Sequence, residues 1–342
     1  MINRRSFLAG TAGAALFAPQ LGRAQGAKLK LSHYLPPMHQ MHVWLSGWAD
    51  GLREKSGGEI DIEIFPASQM GPAGRQFDLV RTGVADIGFF FPALTPGRFP
   101  LSDVHLMSFA YTNPATLQPI RAGEASEIAT GLFDAYSSDY EGTRPLVAVI
   151  TPGGGFFMKD KMIRKVADLS GLRLRPTGPI LASYIEAWGG ANAAFPPAEV
   201  ADAIAKGTID GAMFSFEAAR AFQFGAAVKK ISMLPASTGL FVLTMNPGAY
   251  ERLSGKARQL IDDSTGPQVA RTVGALYAAA EDAGRTYMSE AGAEIIDPAL
   301  EDTREFKALS DAVMEKDIAA LEARGLPARA LDAALRERVA NV

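Results

Sequence analysis

One arginine at the end of a predicted strand is the strongest candidate for ligand chemistry. Arg175 follows the strand-like residues 172–174 and precedes Pro176. Strand ends in α/β domains face the ligand crevice, where a guanidinium can hold a carboxylate through two parallel hydrogen bonds. The alternative is a surface arginine, because Arg173 lies two residues away on the same face of the strand. The residue types alone leave both interpretations of Arg175 open.

Aromatic residues cluster at or just beyond the ends of predicted strands: Phe89, Phe91, Phe156, Phe157, Phe214 and Phe216. Alternate residues of a strand share a face, so Phe89 with Phe91, and Phe214 with Phe216, can each form one aromatic stripe. Ordinary core packing is the alternative for such residues. Aromatic walls around one charged anchor are typical of a pocket for an organic acid with an apolar body.

Three consecutive glycines, residues 153–155, follow the strand that leads toward the second half of the chain. They match neither the phosphate loop GxxxxGK[ST] nor a GxGxxG turn that opens a helix. A hinge or cleft wall where the backbone approaches a ligand is one interpretation, and a plain loop is the other.

The histidines raise the question of a metal. His39 and His42 are three residues apart near the start of a predicted helix, with His33 upstream. A zinc site would need a third ligand and a supporting carboxylate, and HExxH is absent. Polar residues at a helix N-terminus and cleft rim are the preferred interpretation, so we expect no metal and no cofactor.

Positive signs of catalysis are missing from the sequence. There is no GxSxG nucleophile elbow, no convincing carboxylate pair and no cysteine. We therefore expect a binding protein rather than an enzyme.

Helix and strand patterns alternate along the chain and predict an α/β protein. Strands are expected at residues 28–31, 60–65 and 86–91, with helices at 38–55 and 72–82 between them. This order predicts a mainly parallel sheet covered by helices. A second unit has strands at 147–150, 172–175 and 209–214, helices at 180–188 and 197–206, and a returning strand at 240–245.

The pattern predicts two domains with a ligand cleft between them. Domain I comprises residues 25–150 and about 240–265, and domain II comprises residues 151–239 and about 266–342. Residues 256–289 form one long helical pattern, which Gly266–Pro267 would kink. Such a helix would be about 50 Å long and could cross both domains.

The N-terminus carries an export pattern. Arg4 and Arg5 precede the apolar residues 7–17, and a small-x-small site ends at Ala24. This predicts a twin-arginine signal peptide over residues 1–24, cleaved after Ala24, and a periplasmic protein. A membrane anchor is the alternative, but the apolar run has about half the length that spanning requires. Cleavage would change the net charge from −3 to −6, which gives no electrostatic footprint for nucleic acid.

Five short motifs in this order resemble the periplasmic solute-binding proteins of TRAP transporters, the tripartite ATP-independent kind. They are SGGEI at 56–60, PASQMG at 66–71, VADI at 84–87, DLSGLRLR at 168–175 and GTIDG at 207–211. The resemblance implies a two-domain α/β fold like that of periplasmic binding proteins, with a long helix across both domains. It also implies a membrane permease as partner and places the family's carboxylate-binding arginine at Arg175.

The resemblance puts further pocket positions near Tyr34, Phe91, Gly155, Pro197 and Phe214. Sialic-acid-type members have Asn at Phe214, Glu at Phe91 and a second Arg near Gly155. The lactate and keto-acid branch has an acidic-aromatic pair where this chain has Met213-Phe214.

Polar groups of relatives are thus replaced here by phenyl rings or by space. We therefore expect an organic acid with an apolar or aromatic body, held by Arg175 and surrounded by Phe91, Phe156 and Phe214. A ligand-sensing module and an exported enzyme that acts on an organic acid remain the alternative functions.

Overall fold

The computed structural model describes residues 27–151, 153–234 and 236–342. The predicted signal peptide, residues 1–24, lies outside this range. No helix in the described part of the chain is long and apolar enough to cross a membrane.

Within these residues, strands and helices alternate in an α/β arrangement, as predicted. The strands are β1 (Ala27–His33), β2 (Ile60–Phe65), β3 (Ile87–Phe90), β4 (Arg144–Ile150), β5 (Gly155–Met158), β6 (Arg173–Arg175), β7 (Ala191–Asn192), β8 (Gly211–Phe214), β9 (Lys230–Ser232), β10 (Leu240–Met245) and β11 (Glu294–Ile296). The helices are α1 (Gln40–Lys55), α2 (Gln76–Arg81), α3 (Ala122–Thr130), α4 (Phe133–Tyr136), α5 (Pro179–Ala187), α6 (Val200–Ala205), α7 (Phe216–Ala221), α8 (Pro247–Glu251), α9 (Gly255–Asp263), α10 (Pro267–Glu290), α11 (Leu300–Ala323) and α12 (Ala328–Ala340).

The first lobe is built on a five-stranded sheet in the order β2-β1-β3-β10-β4. β1 is parallel to β2 and β3, whereas β10 is antiparallel to both β3 and β4. The sheet is therefore mixed rather than mainly parallel. The reason is that β10 enters the sheet from the cleft side, where the neighbouring strands end.

The second lobe is built on a six-stranded sheet in the order β11-β9-β5-β8-β6-β7. β6 runs parallel to β7 and β8, and β5 runs antiparallel to β8 and β9. Two chain segments that connect the lobes pair with each other beside the cleft. The Thr151 amide donates to Gly239 O at 2.9 Å, and the Gly154 amide donates to Ser237 O at 2.8 Å.

The helical pattern at residues 256–289 is two helices rather than one kinked helix. α9 ends at Asp263 and α10 begins at Pro267, with Gly266 at φ +92° between them. That backbone conformation is left-handed, and proline cannot continue the hydrogen bonding of α9, so the chain starts a new helix.

Helix α10 packs against α3 in the first lobe and α7 in the second. Its glycines permit both contacts: a Cβ at Gly274 would lie 2.3 Å from Ala122 O, and one at Gly284 would lie 2.2 Å from Phe216 O. The C-terminal helices are also divided, because α11 packs on α5 and α12 packs on α3. Residues 266–342 therefore contact both lobes.

Candidate functional site

The cavity lies between the two sheets at the C-terminal ends of parallel strands. Tyr34 follows β1, Phe91 follows β3, Arg175 ends β6 and Phe214 ends β8. All four residues line one cavity, and Pro197 joins them. Each lobe thus contributes strand ends to a common crevice, as expected for open α/β sheets.

Arg175 supplies a buried positive charge to this cavity. Its side chain is 3% exposed, and its Nε donates to Phe195 O at 3.2 Å. Its Nη1 has no hydrogen-bond partner among the residues that the structure describes. Burial lowers the pKa of Arg175 to about 10, with Tyr34 opposing the shift, so the guanidinium stays charged at neutral pH. A buried cation with an unpaired donor is energetically unfavourable, and a bound anion would remove that cost.

Arg173, the other arginine of β6, is a surface residue. It is exposed and forms a salt bridge with Asp210, with 3.1 Å between Nη2 and Oδ1. Its Nη2 also donates to Gly207 O at 2.8 Å. Arg173 is therefore the surface arginine of β6, whereas Arg175 is buried.

Phenyl rings form the walls beside the guanidinium. The Arg175 Cζ lies 5.2 Å from the centre of the Phe214 ring, which is 5% exposed. Phe222 packs edge-on against Phe214 at 6.2 Å between ring centres. On the first lobe, Phe91 and Phe241 have ring centres 4.9 Å apart and both line the cavity. This arrangement suits a flat apolar body attached to a carboxylate.

A buried carboxylate lines another part of the cavity wall. Glu217 on α7 is 4% exposed, and its Oε2 accepts from Gln40 Nε2 at 2.9 Å and lies 3.3 Å from His39 Nε2. His39 and Gln40 belong to the first lobe and Glu217 to the second, so these contacts cross the cleft. Glu217 cannot be recognised from the sequence, because a single acid near a helix start carries no spacing signal.

Tyr34 is influenced by both charged residues. Burial raises the pKa of its hydroxyl well above the ordinary range, Glu217 raises it further, and Arg175 opposes these effects. Tyr34 therefore remains a neutral hydroxyl that can donate a hydrogen bond inside the cavity.

Four of the sequence-predicted site residues lie outside this cavity. Phe89 is fully buried and stacks on Phe241 at 5.3 Å between ring centres. Phe156 packs against Trp188 and Phe306, and Phe216 packs against Phe157. These three are core residues, because each ring is enclosed by other rings.

Gly155 is the fourth predicted site residue that lies outside the cavity, and Gly154 lines the cavity in its place. Gly155 lies in β5, where it pairs with Phe214 of β8. Gly154 lines the cavity instead, and its amide is bonded to Ser237 in the other connecting segment.

The histidines near α1 form hydrogen bonds with other groups of the protein. His39 caps the helix, its Nδ1 accepting from the Met41 amide at 3.1 Å. His33 Nε2 and His42 Nδ1 are 3.0 Å apart, and burial together with the two neighbouring histidines lowers the pKa of His33 to about 3. Within the described ranges, no group of three or more His, Asp or Glu side chains is arranged to hold a metal ion.

Comparisons with known proteins identify the family of the chain. The family model described as bacterial extracellular solute-binding protein, family 7, matches residues 31–320. A curated relative, the uncharacterized protein YiiZ of Salmonella typhimurium strain LT2, is 25% identical over 174 residues, which are 47% of this chain. The match spans about half of that relative, 48% of its length.

Two solved structures are also similar. One is a TRAP solute-binding protein from a marine metagenome, specific for aromatic acid ligands and co-crystallised with 3-hydroxybenzoate. It is 26% identical with a TM-score of 0.87, covering 93% of this chain and 99% of that one. The other is a TRAP solute-binding protein from Rhodoferax ferrireducens T118 with copurified benzoate. It is 28% identical with a TM-score of 0.84, covering 92% of this chain and 98% of that one.

Proposed function

The chain belongs to family 7 of the bacterial extracellular solute-binding proteins, and on that premise we propose that it captures a small aromatic carboxylic acid and delivers it to a TRAP-type membrane permease. The observation that carries the proposal is the Arg175 guanidinium, buried in a phenyl-walled cavity with an unpaired Nη1 in the described structure. A ligand carboxylate would satisfy that donor through a charge-assisted hydrogen bond.

The proposed preference for aromatic ligands rests on the phenyl rings that line the cavity. Phe91, Phe214 and Phe241 offer ring faces and edges but no hydrogen-bonding groups. A sugar acid would leave hydroxyls unpaired there, at about 1–3 kcal/mol each. The two similar structures named above hold 3-hydroxybenzoate and benzoate, which fits the same preference.

Binding would proceed in the order open, dock, close and deliver. Arg175, Pro197 and Phe214 belong to one lobe, so the carboxylate can dock there before closure. Closure then brings His39 and Gln40 of the first lobe to Glu217 and removes water, which strengthens the ion pair. Only the closed form makes all of these contacts, and this difference shifts the population toward it.

We also propose that the protein works in the periplasm after twin-arginine export and cleavage behind Ala24. N-terminal sequencing of the protein recovered from a periplasmic extract tests this. The expected first residue is Gln25. An uncleaved chain in the membrane fraction would contradict it.

A thermal-shift screen tests the ligand class. Benzoate, hydroxybenzoates, aliphatic acids and sugar acids would each be compared with the matching uncharged amide. A ligand at about 100 times its Kd adds about 2.7 kcal/mol, which raises the melting temperature measurably. We expect shifts from aromatic acids and none from their amides.

Two outcomes of this screen have distinct meanings. Tight binding of a sugar acid without any binding of aromatic acids would contradict the proposal. If no acid shifts the melt, the screen is repeated after unfolding and refolding to remove copurified ligand. A second blank result would then reject carboxylate binding at Arg175.

A further inference from the structure

The Glu217 carboxylate is a feature of the cavity that carboxylate capture by Arg175 does not use. Among the described residues that line the cavity, Arg175 is the only cation and Glu217 the only carboxylate. Glu217 Oε2 is occupied by Gln40 and His39, whereas Oε1 has only the Ser215 hydroxyl, at 3.5 Å. Oε1 therefore retains capacity to accept a hydrogen bond from a ligand.

The partners of Glu217 leave its negative charge uncompensated. His39 Nδ1 accepts the Met41 amide, so the imidazole carries its proton on Nε2 and meets Glu217 as a neutral donor. The Gln40 amide is also neutral. These two groups orient the carboxylate and hydrogen-bond to it without adding a positive charge.

The backbone behind Glu217 fixes its position. Glu281 of α10 accepts the Phe216 amide at 2.9 Å through Oε1 and the Glu217 amide at 2.8 Å through Oε2. Gln40 and His39 hold the side chain from the opposite lobe. The carboxylate cannot easily move away from an unfavourable ligand group, because both its backbone and its side chain are held.

We propose that Glu217 is a specificity-determining residue that selects acids with one carboxylate and rejects those with two. This inference rests on the function proposed above, in which Arg175 holds one carboxylate of the ligand. A second carboxylate directed toward Glu217 would meet a like charge in a dry cavity with no other cation to neutralise it. A hydroxyl there would instead donate to Glu217.

Isothermal titration calorimetry with four ligands separates charge from size. They are benzoate, 3-hydroxybenzoate, 3-carbamoylbenzoate and isophthalate, the last two being nearly equal in size but different in charge. We expect the wild-type protein to bind isophthalate roughly 100-fold more weakly than 3-carbamoylbenzoate, because opposed like charges are strongly unfavourable. Equal affinities for these two ligands would overturn the inference without any variant.

A charge-removing variant assigns the effect to Glu217. Glu217→Gln keeps the shape and the acceptor oxygen for Gln40, so we expect it to reduce the discrimination against isophthalate at least roughly tenfold. Asp282→Asn is the matched control, since Asp282 is exposed on α10 and removes the same charge outside the cavity. It should leave the discrimination unchanged.

The outcomes also separate this inference from the proposed function. If benzoate binds the wild-type protein but Glu217→Gln discriminates as strongly as wild type, the role of Glu217 is wrong and carboxylate capture stands. If no aromatic acid binds the wild-type protein, the proposed function fails and this inference fails with it.

Discussion

Two buried charged side chains line the cavity, and they differ in how fully the protein hydrogen-bonds to them. Arg175 and Glu217 are 3% and 4% exposed, so both have lost nearly all contact with water. The guanidinium makes one hydrogen bond to the protein, through Nε, and its Nη1 is unpaired within the described structure. The Glu217 carboxylate is instead engaged by Gln40 and His39 from the opposite lobe.

This difference assigns a separate task to each charge. An unpaired buried charge is unfavourable until it gains a partner, so in the proposed function Arg175 is where the ligand docks. The contacts of Glu217 with Gln40 and His39 cross the cleft, so in the proposed function they form only when the lobes close. The Arg175 site is built in one lobe, and the Glu217 site needs both.

Removing the guanidinium should produce the largest effect on binding. Arg175→Ala should weaken benzoate binding by about 2–5 kcal/mol, because the ligand carboxylate loses its buried partner. Arg175→Lys should recover only part of this, since an ammonium cannot form the planar fork. Titration calorimetry measures both. Arg173→Ala is the control and should bind normally, and unchanged affinity in Arg175→Ala would refute the role of Arg175.

Overpacking between α7 and α10, next to Glu217, should destabilise the protein. A Cβ at Gly284 would lie 2.2 Å from Phe216 O, so Gly284→Ala must displace α7 or α10. We expect the free energy of unfolding to fall by about 1–3 kcal/mol. Urea denaturation measures this, with Gly255→Ala as control because no atom lies within 4 Å of its Cβ position. Equal stability of the two variants would show that the contact is not tight.

Truncating Gln40 should alter the dissociation rate rather than the association rate. Gln40→Ala removes one hydrogen bond to the buried Glu217 carboxylate, worth about 1.5 kcal/mol, and so favours the open form. We expect koff to rise roughly tenfold while kon stays the same, because docking at Arg175 precedes closure. Stopped-flow fluorescence separates the two rates. A change confined to kon would place Gln40 in the docking step instead.

The last expected effect is a pH dependence of stability at Glu281. Burial raises the pKa of Glu281 to about 8 from its ordinary value of 4.5. A raised folded-state pKa gives stability that is complete below pH 4.5 and is lost as pH rises through 8, with a slope of at most about 1.4 kcal/mol per pH unit.

The Glu281→Gln variant tests this dependence. Its free energy of unfolding, measured by urea denaturation between pH 5 and pH 8.5, should lack the wild-type decline that Glu281 causes. The difference in stability between wild type and variant should therefore shrink as pH rises. A constant difference across this range would contradict the raised pKa.

Local patterns were sufficient to predict most of the fold and several residues that line the cavity. Arg175, Phe91 and Phe214 could be placed because they follow strands whose alternation is clear in the sequence. Phe89, Phe156 and Phe216 were included for the same reason, yet they pack against other rings in the core. Periodicity locates a strand end but cannot show which ring the neighbouring elements cover.

The contacts between Glu217 and the first lobe could not be predicted from one sequence. Glu217 and Gln40 are 177 residues apart in the chain and meet only because the lobes face each other. The break between α9 and α10 also differs from the predicted kink, since Gly266–Pro267 is compatible with either a kink or a new helix. Such features depend on tertiary contacts rather than on local pattern.

A crystal structure of the protein with 3-hydroxybenzoate tests the division between the two charges most directly. The account predicts the carboxylate within hydrogen-bond distance of Arg175 Nη1, the ring beside Phe214, and the hydroxyl directed toward Glu217. A ligand in the reverse orientation, or one bound away from Arg175, would contradict it.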